Sequence, residues 1–491
     1  MKKLFLVLFF LIALFLIAQF VTKDGGLFHR NSGEAPTGSN TPPTGGVVSD
    51  DTITVLPQWP GVPFGAALYS EAKKDEIVMG IIDSKLSTYP KVSSKSYRIG
   101  KHSGSGLATQ VELREDQLKI LATNYDYNQL PPMQRAYGET LKKYAPDFKL
   151  FMYFDAGIQP DEHLDLVGDD AGNVDEENID WLVAHHPDWL LKDEGGNPLI
   201  SAKGTASNAG EYWGDPGNPE FQAWFAGKIN KAMAQSGNIW NGVLLDQFFG
   251  KIENYTGYAG TNAQTKYKTN AEYQTATLSF LKRLSELVNV PVVANLDGAT
   301  SIEFPAYFVQ VGQTAGGVES EIYPFESSTE NDSSLLPSDS LKGLIDGINK
   351  IPKSHYIKIS SKPGGMEGNT PRMLYAYYSY LLVADKDRQI YWSSKEGDSS
   401  IPHYWYKEYD LDLGDAQGIA NTGGAVWTRT FTNATLYFNP ERSDEVVQLK
   451  SPQYTLWGKK TEATVTIPAH SGVLLFKSLE QLGVAKKPLG I

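Results

Sequence analysis

The chain has 491 residues, 44 Lys and Arg against 57 Asp and Glu, a net charge of −13, and no cysteine. Such an acid excess lacks the basic face of a nucleic-acid binder, and the missing cysteine excludes disulfides, thiolate metal sites and a cysteine nucleophile. Apolar residues at 41% and charged residues at 21% describe globular material with a large core, and 26 Tyr, 21 Phe and 10 Trp suit both that core and stacking on sugar rings.

Lys2 and Lys3 precede a run from Leu4 to Ala18 without a polar residue. A basic start before an apolar run reads as an export signal. The run has no A-x-A cleavage site and is bulky, which favours an uncleaved anchor over a cleaved signal for residues 1–22. With the lysines inside, the rest of the chain is expected to be extracellular or at the cell surface, touching the membrane through this segment. Residues 23–51 are dominated by Gly, Ser, Thr, Pro and Asn and read as a flexible linker without a core.

Residues 52–420 read as one domain, its first part (to about 110) without a clear pattern. A strand is expected over Gln117–Tyr125 and a helix over Pro132–Ala145. KLFMYFD (Lys149–Asp155) is a strand, and Asp215–Gln235 holds a proline-opened helix. Asn241–Phe249 is an apolar strand carrying a carboxylate, Asn270–Val288 a helix, and Val290–Asn295 a strand. Phe308–Val311 and Gly317–Tyr323 are further strand candidates. Leu341–Ile348 reads as a helix, Tyr356–Ser360 as a strand, Arg372–Leu382 as an aromatic helix and Gln389–Trp392 as a strand. Apolar strands alternating with helices imply parallel βαβ units with both sheet faces covered. About eight such repeats predict an α/β fold, a (β/α)8 TIM barrel. Residues 421–491 change to short alternating strands and predict a small all-β, sandwich-like domain packed on the barrel.

In such a barrel chemistry sits where strands end. Asp246 closes GVLLD, Asp155 closes LFMYFD, Asn295 and Asp297 follow PVVA, and Glu319 and Glu321 lie in GGVESEIYPF. Gly242 to Asp246 and Gly317 to Glu321 share a frame, a carboxylate four residues after a glycine. A carboxylate ending an apolar strand needs a partner or a purpose. Convergent carboxylates without His or Cys clusters point to glycoside hydrolysis, one protonating the leaving oxygen while the other attacks carbon or activates water. Asp246 is the expected nucleophile or base. Glu321 is the expected acid, shielded by Tyr323 and Phe325. Glu319 supports it, or is itself the acid if the strand stops earlier. Asp155, Asp215, Asn295 and Asp297 are expected to bind substrate, with Tyr153, Trp213, Tyr323 and Trp392 as stacking surfaces. Tyr375, Tyr378 and Leu382 share a helical face that suggests packing on the barrel. The eight histidines show no metal-ligand spacing, DLDLGD (Asp410–Asp415) lacks the closing Glu of a calcium loop, and no Gly-rich phosphate fingerprint follows the first strand. Neither a metal nor a cofactor is expected.

The succession HPDWLLKDEGG, WGDPGNPEFQAWF, NGVLLDQFF and GGVESEIYPF resembles the TIM-barrel glycoside hydrolases of the hypothetical glycosyl hydrolase 15 type, over about residues 110–480. The resemblance implies a hydrolase barrel closed by a small β module and matches Asp246 and Glu321 to the two strand-end carboxylates. Glu319 is an additional acid that leaves the second carboxylate open. The expectation is an exported glycoside hydrolase acting on a polysaccharide outside the cell. The rivals are a surface carbohydrate-binding or adhesion protein that no longer catalyses, and a purely structural surface protein. Two convergent carboxylates separate the first from the others.

Overall fold

The computed structural model describes residues 99–102, 115, 118–119, 122, 126–158, 179–199, 212–237, 239–248, 250–252, 265–296, 298–321, 323–325, 335–361, 370–385, 389–393, 411–455 and 459–482. Two units divide the chain, Met1–Thr52 and Ile53–Ile491, and every described residue lies in the second. The expected anchor and linker therefore fall outside the described residues. No helix among the described residues is long and apolar enough to cross a membrane.

Eight parallel strands follow one another around a closed ring. They are β1 (Ile99–His102), β2 (Tyr127–Leu130), β3 (Lys149–Asp155), β4 (Gly242–Asp246), β5 (Val292–Leu296), β6 (Gly317–Ser320), β7 (Tyr356–Ser361) and β8 (Gln389–Ser393). Each pairs with its sequence neighbours, and β8 returns to β1. The helices between them are α1 (Arg135–Tyr144), α2 (Ile179–His185), α3 (Pro219–Gln235), α4 (Asn270–Leu287), α5 (Gly298–Glu303), α6 (Pro305–Thr314), α7 (Ser338–Ile348) and α8 (Thr370–Leu381). This is an α/β fold of the TIM-barrel kind.

Local signals explain the helix starts. Asn218 caps α3 by accepting from the Glu220 and Phe221 amides, and Pro219 supplies a pre-set first residue. Thr269 and Glu272 form a reciprocal capping box on α4.

Two expectations are corrected. Phe308–Val311 lies inside α6, because so short a mostly apolar stretch does not by itself distinguish strand from helix. The described residues of 117–125 are helical, with Leu118 and Ala122 buried one turn apart, and the strand comes later, at Tyr127–Leu130.

Alternation along the strands sorts the side chains. Leu150, Met152, Phe154, Val243, Leu245, Val292, Ala294, Val318, Ile357 and Ile359 join the main core with residues of the surrounding helices. Burying each of these side chains larger than alanine contributes about 1.5–3 kcal/mol. The opposite set faces inward. Its floor is Tyr127, Phe151, Leu244 and Val293, with Tyr356 against them. The Phe151 and Tyr356 rings meet edge-on at 5.0 Å. They fit because Gly242 and Gly317 lie there without side chains: a Cβ at Gly242 would stand 2.4 Å from the Phe151 ring, and one at Gly317 2.4 Å from the Tyr356 carbonyl oxygen.

The C-terminal strands are β9 (Trp427–Thr430), β10 (Ala434–Asn439), β11 (Glu445–Gln448), β12 (Tyr454–Thr455), β13 (Thr464–Ile467) and β14 (Ser471–Phe476). Antiparallel β9-β10-β14-β12 form one sheet and β11-β13 a second. Trp427, Leu436, Phe438, Leu474 and Phe476 join the barrel's core, while Tyr437, Val473 and Leu475 pack on Val447, Val465 and Ile467. Leu413, Asp415 and Gln417 already exchange backbone hydrogen bonds with the β9–β10 hairpin, so the module's contacts begin ahead of residue 421.

Helix α8 lies against this sheet. Tyr375 meets Phe438 at 4.9 Å, and a Cβ on Gly472 would touch the Tyr378 ring at 2.8 Å. The face that Tyr375 and Tyr378 share is thus turned to the β module. The Arg429 guanidinium donates to the Leu382 and Ala384 carbonyls just past the helix.

Gly317→Ala should lower unfolding stability by about 1–3 kcal/mol, because the Tyr356 backbone cannot step aside. Gly343→Ala, in α7 where a Cβ meets nothing within 4 Å, should raise it by about 0.5–1 kcal/mol. Equilibrium denaturation of the two variants checks both signs.

Candidate active site

Above the apolar floor the inward residues become polar. Register places Asp155 beside Asp246, Asn295 beside Glu319, and Glu319 beside Lys358. Gln129 comes from β2, Tyr153 and Asp155 from β3, Asp246 from β4, Asn295 from β5, Glu319 from β6 and Lys358 from β7. Asp246 and Glu319 thus belong to the fourth and sixth strands of the ring.

Asp246 is the centre of the first group. Its Oδ1 accepts from the Asn295 side-chain amide at 2.6 Å and from the Gln247 backbone N–H at 2.8 Å. Its Oδ2 accepts from the Tyr153 hydroxyl at 2.5 Å. That hydroxyl also lies 2.9 Å from Asp155 Oδ1. Burial raises the Tyr153 phenol well above its usual range, and the charges of Asp155 and Asp246 raise it further, so it keeps its proton. Gln247 holds φ at 54°, a left-handed conformation that non-glycine residues adopt at an energetic cost. That geometry turns its N–H back onto Asp246. Half-buried, Asp246 is thereby fixed by three donors with its carboxylate at the strand end.

Glu319 and Lys358 form the second group, each about 1% exposed and paired at 2.8 Å. The Lys358 ammonium also donates to Gln129 Oε1 at 2.5 Å, and the Tyr127 hydroxyl donates to the same oxygen at 3.1 Å. Burial lowers Lys358 from its usual range, while Glu319, then Asp246 and Glu321, pull it back up. The lysine therefore lies within electrostatic reach of all three carboxylates. Glu321 stands one residue beyond the end of β6, half-buried.

The structure brings Tyr153, Asp155, Asp246, Asn295, Glu319 and Glu321 to one end of the ring. Of the two roles expected of Glu319, its pairing with Lys358 favours the supporting one. Several other expectations are corrected. Asp215 is occupied by the Lys266 ammonium, the Tyr267 hydroxyl at 2.6 Å and the Gly217 amide at 3.0 Å, and so pins the loop before α3. Trp213, 1% exposed, packs with Leu191, Leu199 and Tyr273 and offers no face to a sugar. Tyr323 is buried, its hydroxyl donating to the Ser379 carbonyl of α8 at 3.0 Å, and Phe325 lies near Tyr375, so these rings are committed to the α8 side. Asp297 and the Trp392 side chain lie outside the described residues.

Gln129, Gln247 and Lys358 escaped the sequence reading. Lys358 had a signal: an ammonium in the middle of the apolar strand YIKIS must be paired. Among the described residues no group of three or more His, Asp or Glu side chains is placed to share a metal ion.

The sequence profile of hypothetical glycosyl hydrolase family 15 matches residues 142–435. No curated protein sequence is significantly similar to the chain. Among solved structures, a GH27 β-L-arabinopyranosidase from Geobacillus stearothermophilus is 13% identical with a TM-score of 0.44, over 80% of this chain and 98% of that one. The glycoside hydrolase domain of PelA from Pseudomonas aeruginosa is 16% identical with a TM-score of 0.36, over 61% and 94%. The maltogenic α-amylase AmyB from Thermotoga neapolitana is 9% identical with a TM-score of 0.41, over 79% and 100%.

Removing one member of a fully buried ion pair strands the other. Lys358→Met should destabilise the fold by about 3–5 kcal/mol, and adding Glu319→Leu should recover much of the loss. A double-mutant cycle by denaturant unfolding measures the coupling.

Proposed function

We propose, from the premise that the chain belongs to the hypothetical glycosyl hydrolase family 15, that it is an exported enzyme hydrolysing O-glycosidic bonds of an extracellular polysaccharide at the mouth of a (β/α)8 barrel. Residues 1–22 serve as signal or anchor, 23–51 as linker, 52–420 as the catalytic barrel, and 421–491 as the β module.

The observation that carries this reading is the Asp246 carboxylate, fixed by three donors at the strand end, with Glu321 beyond the sixth strand. Donors on both Asp246 oxygens hold the carboxylate in one orientation, as a nucleophile or base requires. Glu321, half-buried one residue beyond the end of the sixth strand, is the acid. In the reaction Glu321 gives its proton to the leaving oxygen as the glycosidic bond breaks. Asp246 either bonds to the anomeric carbon, to be displaced by water, or takes a proton from the water that attacks it. Asn295, Tyr153 and Gln247 hold the reacting carboxylate in place. Lys358 and Glu319 provide a fixed, nearly neutral base beneath it.

The full-length chain should release new reducing ends from one member of a polysaccharide panel. Asp246→Asn and Glu321→Gln should each lower kcat on it by roughly 10²–10⁴-fold with unfolding stability preserved. Polysaccharide binding without new reducing ends would instead support the adhesion reading.

A further inference from the structure

A carboxylate offers about four hydrogen-bonding sites, two on each oxygen. At Asp246 they are unevenly filled. The Asn295 side-chain N–H at 2.6 Å and the Gln247 backbone N–H at 2.8 Å both fall on Oδ1. The Tyr153 hydroxyl, at 2.5 Å, falls on Oδ2. Among the described residues no fourth donor reaches this carboxylate. Oδ1 thus has both of its sites taken and Oδ2 has one.

The two groups on Oδ1 are nitrogens that can only donate, so that oxygen stays closed whichever way the phenol proton points. The Tyr153 oxygen also lies 2.9 Å from Asp155 Oδ1, and this second contact bears on Oδ2 alone. Both closing groups are held by the backbone. Asn295 is 5% exposed on β5, and its carbonyl accepts from the Phe248 N–H at 3.2 Å, while Gln247 has its peptide turned back by a φ of 54°. Oδ1 is therefore clamped on the β5 side of Asp246, and Oδ2 is turned toward β3.

We propose that Asp246 reacts through Oδ2 alone. The open site on that oxygen is where the anomeric carbon bonds, or where the attacking water gives up its proton. Oδ1 is the anchor. Tyr153 is then a catalytic residue in contact with the reacting oxygen, whereas Asn295 and Gln247 hold the oxygen that does not react. The inference deepens the hydrolase reading and rests on Asp246 as its reacting carboxylate. It sets the reacting centre on the β3 side of the carboxylate, next to Tyr153 and Asp155.

The test needs no sugar. Glycidol, a small epoxide, esterifies carboxylates: the ionised oxygen bonds to the terminal epoxide carbon, the ring C–O bond breaks, and the released alkoxide takes a proton from solvent. The full-length protein is treated with glycidol, its peptides are mapped by mass spectrometry, and the crystal structure of the adduct shows which oxygen carries the ester. Asp246 should be modified on Oδ2, with Oδ1 still accepting from Asn295 and Gln247. An ester on Oδ1, esters on both oxygens, or no ester at Asp246 would each overturn the proposal. Tyr153→Phe uncovers a second site on the same oxygen, so its Asp246 should be esterified several-fold faster. A rate that is unchanged or lower would remove Tyr153 from contact with the reacting oxygen. A failed polysaccharide screen would sink the hydrolase reading and leave the position of the ester unaffected, so the two failures are distinguishable.

Discussion

A lysine ammonium enclosed by a closed ring of strands has no bulk water to solvate it, and an unpaired charge there is among the most expensive things a fold can bury. Lys358 meets that constraint through Glu319 on the neighbouring strand and Gln129 across the ring. The strands must keep their register for this pairing, because a slip of one residue would turn Lys358 outward into the apolar layer beneath the helices. The pair thus fixes the alignment of β6 on β7. Asn295 is the register partner of Glu319, so the same alignment places the amide that holds Asp246.

The rest of the ring follows from the same alternation. Inward positions low in the barrel are apolar or glycine, and those higher up are polar, so one pleat carries both floor and site. Gly242 and Gly317 are the feet of β4 and β6. They make room for Phe151 and Tyr356, and the carboxylates Asp246 and Glu321 stand four residues further along. The repeated frame of glycine and carboxylate is therefore a cross-section of the barrel: space for a ring at the bottom, a charge at the top.

That frame is also why part of the site was legible in the sequence. An apolar strand ending in Asp246 has few structural explanations, so that carboxylate stood out from the pattern around it. Lys358 was missed because it lies mid-strand, and only the pairing of β6 with β7 reveals that it faces Glu319. The β2 strand, YNQL, was missed for the converse reason: Gln129 serves the polar layer, so the strand lacks the apolar signature used to find the others. Trp213 was misassigned because a tryptophan beside a predicted loop reads alike whether it packs inward or stacks on ligand. Helix α8 kept its identity but changed its neighbour. It is buried among aromatic residues and meets the C-terminal sheet, so its Tyr375 and Tyr378 face β10 and β14.

The left-handed backbone at Gln247 changes how the site would be recognised in other sequences. What is required at this position is a peptide orientation, with the N–H aimed at the preceding carboxylate, and the side chain is secondary. Glycine and asparagine meet that requirement readily, whereas valine, isoleucine and threonine resist positive φ. Among divergent chains the position should drift in chemical character while staying within residues that tolerate this conformation. A strand-final aspartate followed by such a residue is then a more discriminating signature than the aspartate alone, and a β-branched residue after it would mark a barrel that has lost the arrangement.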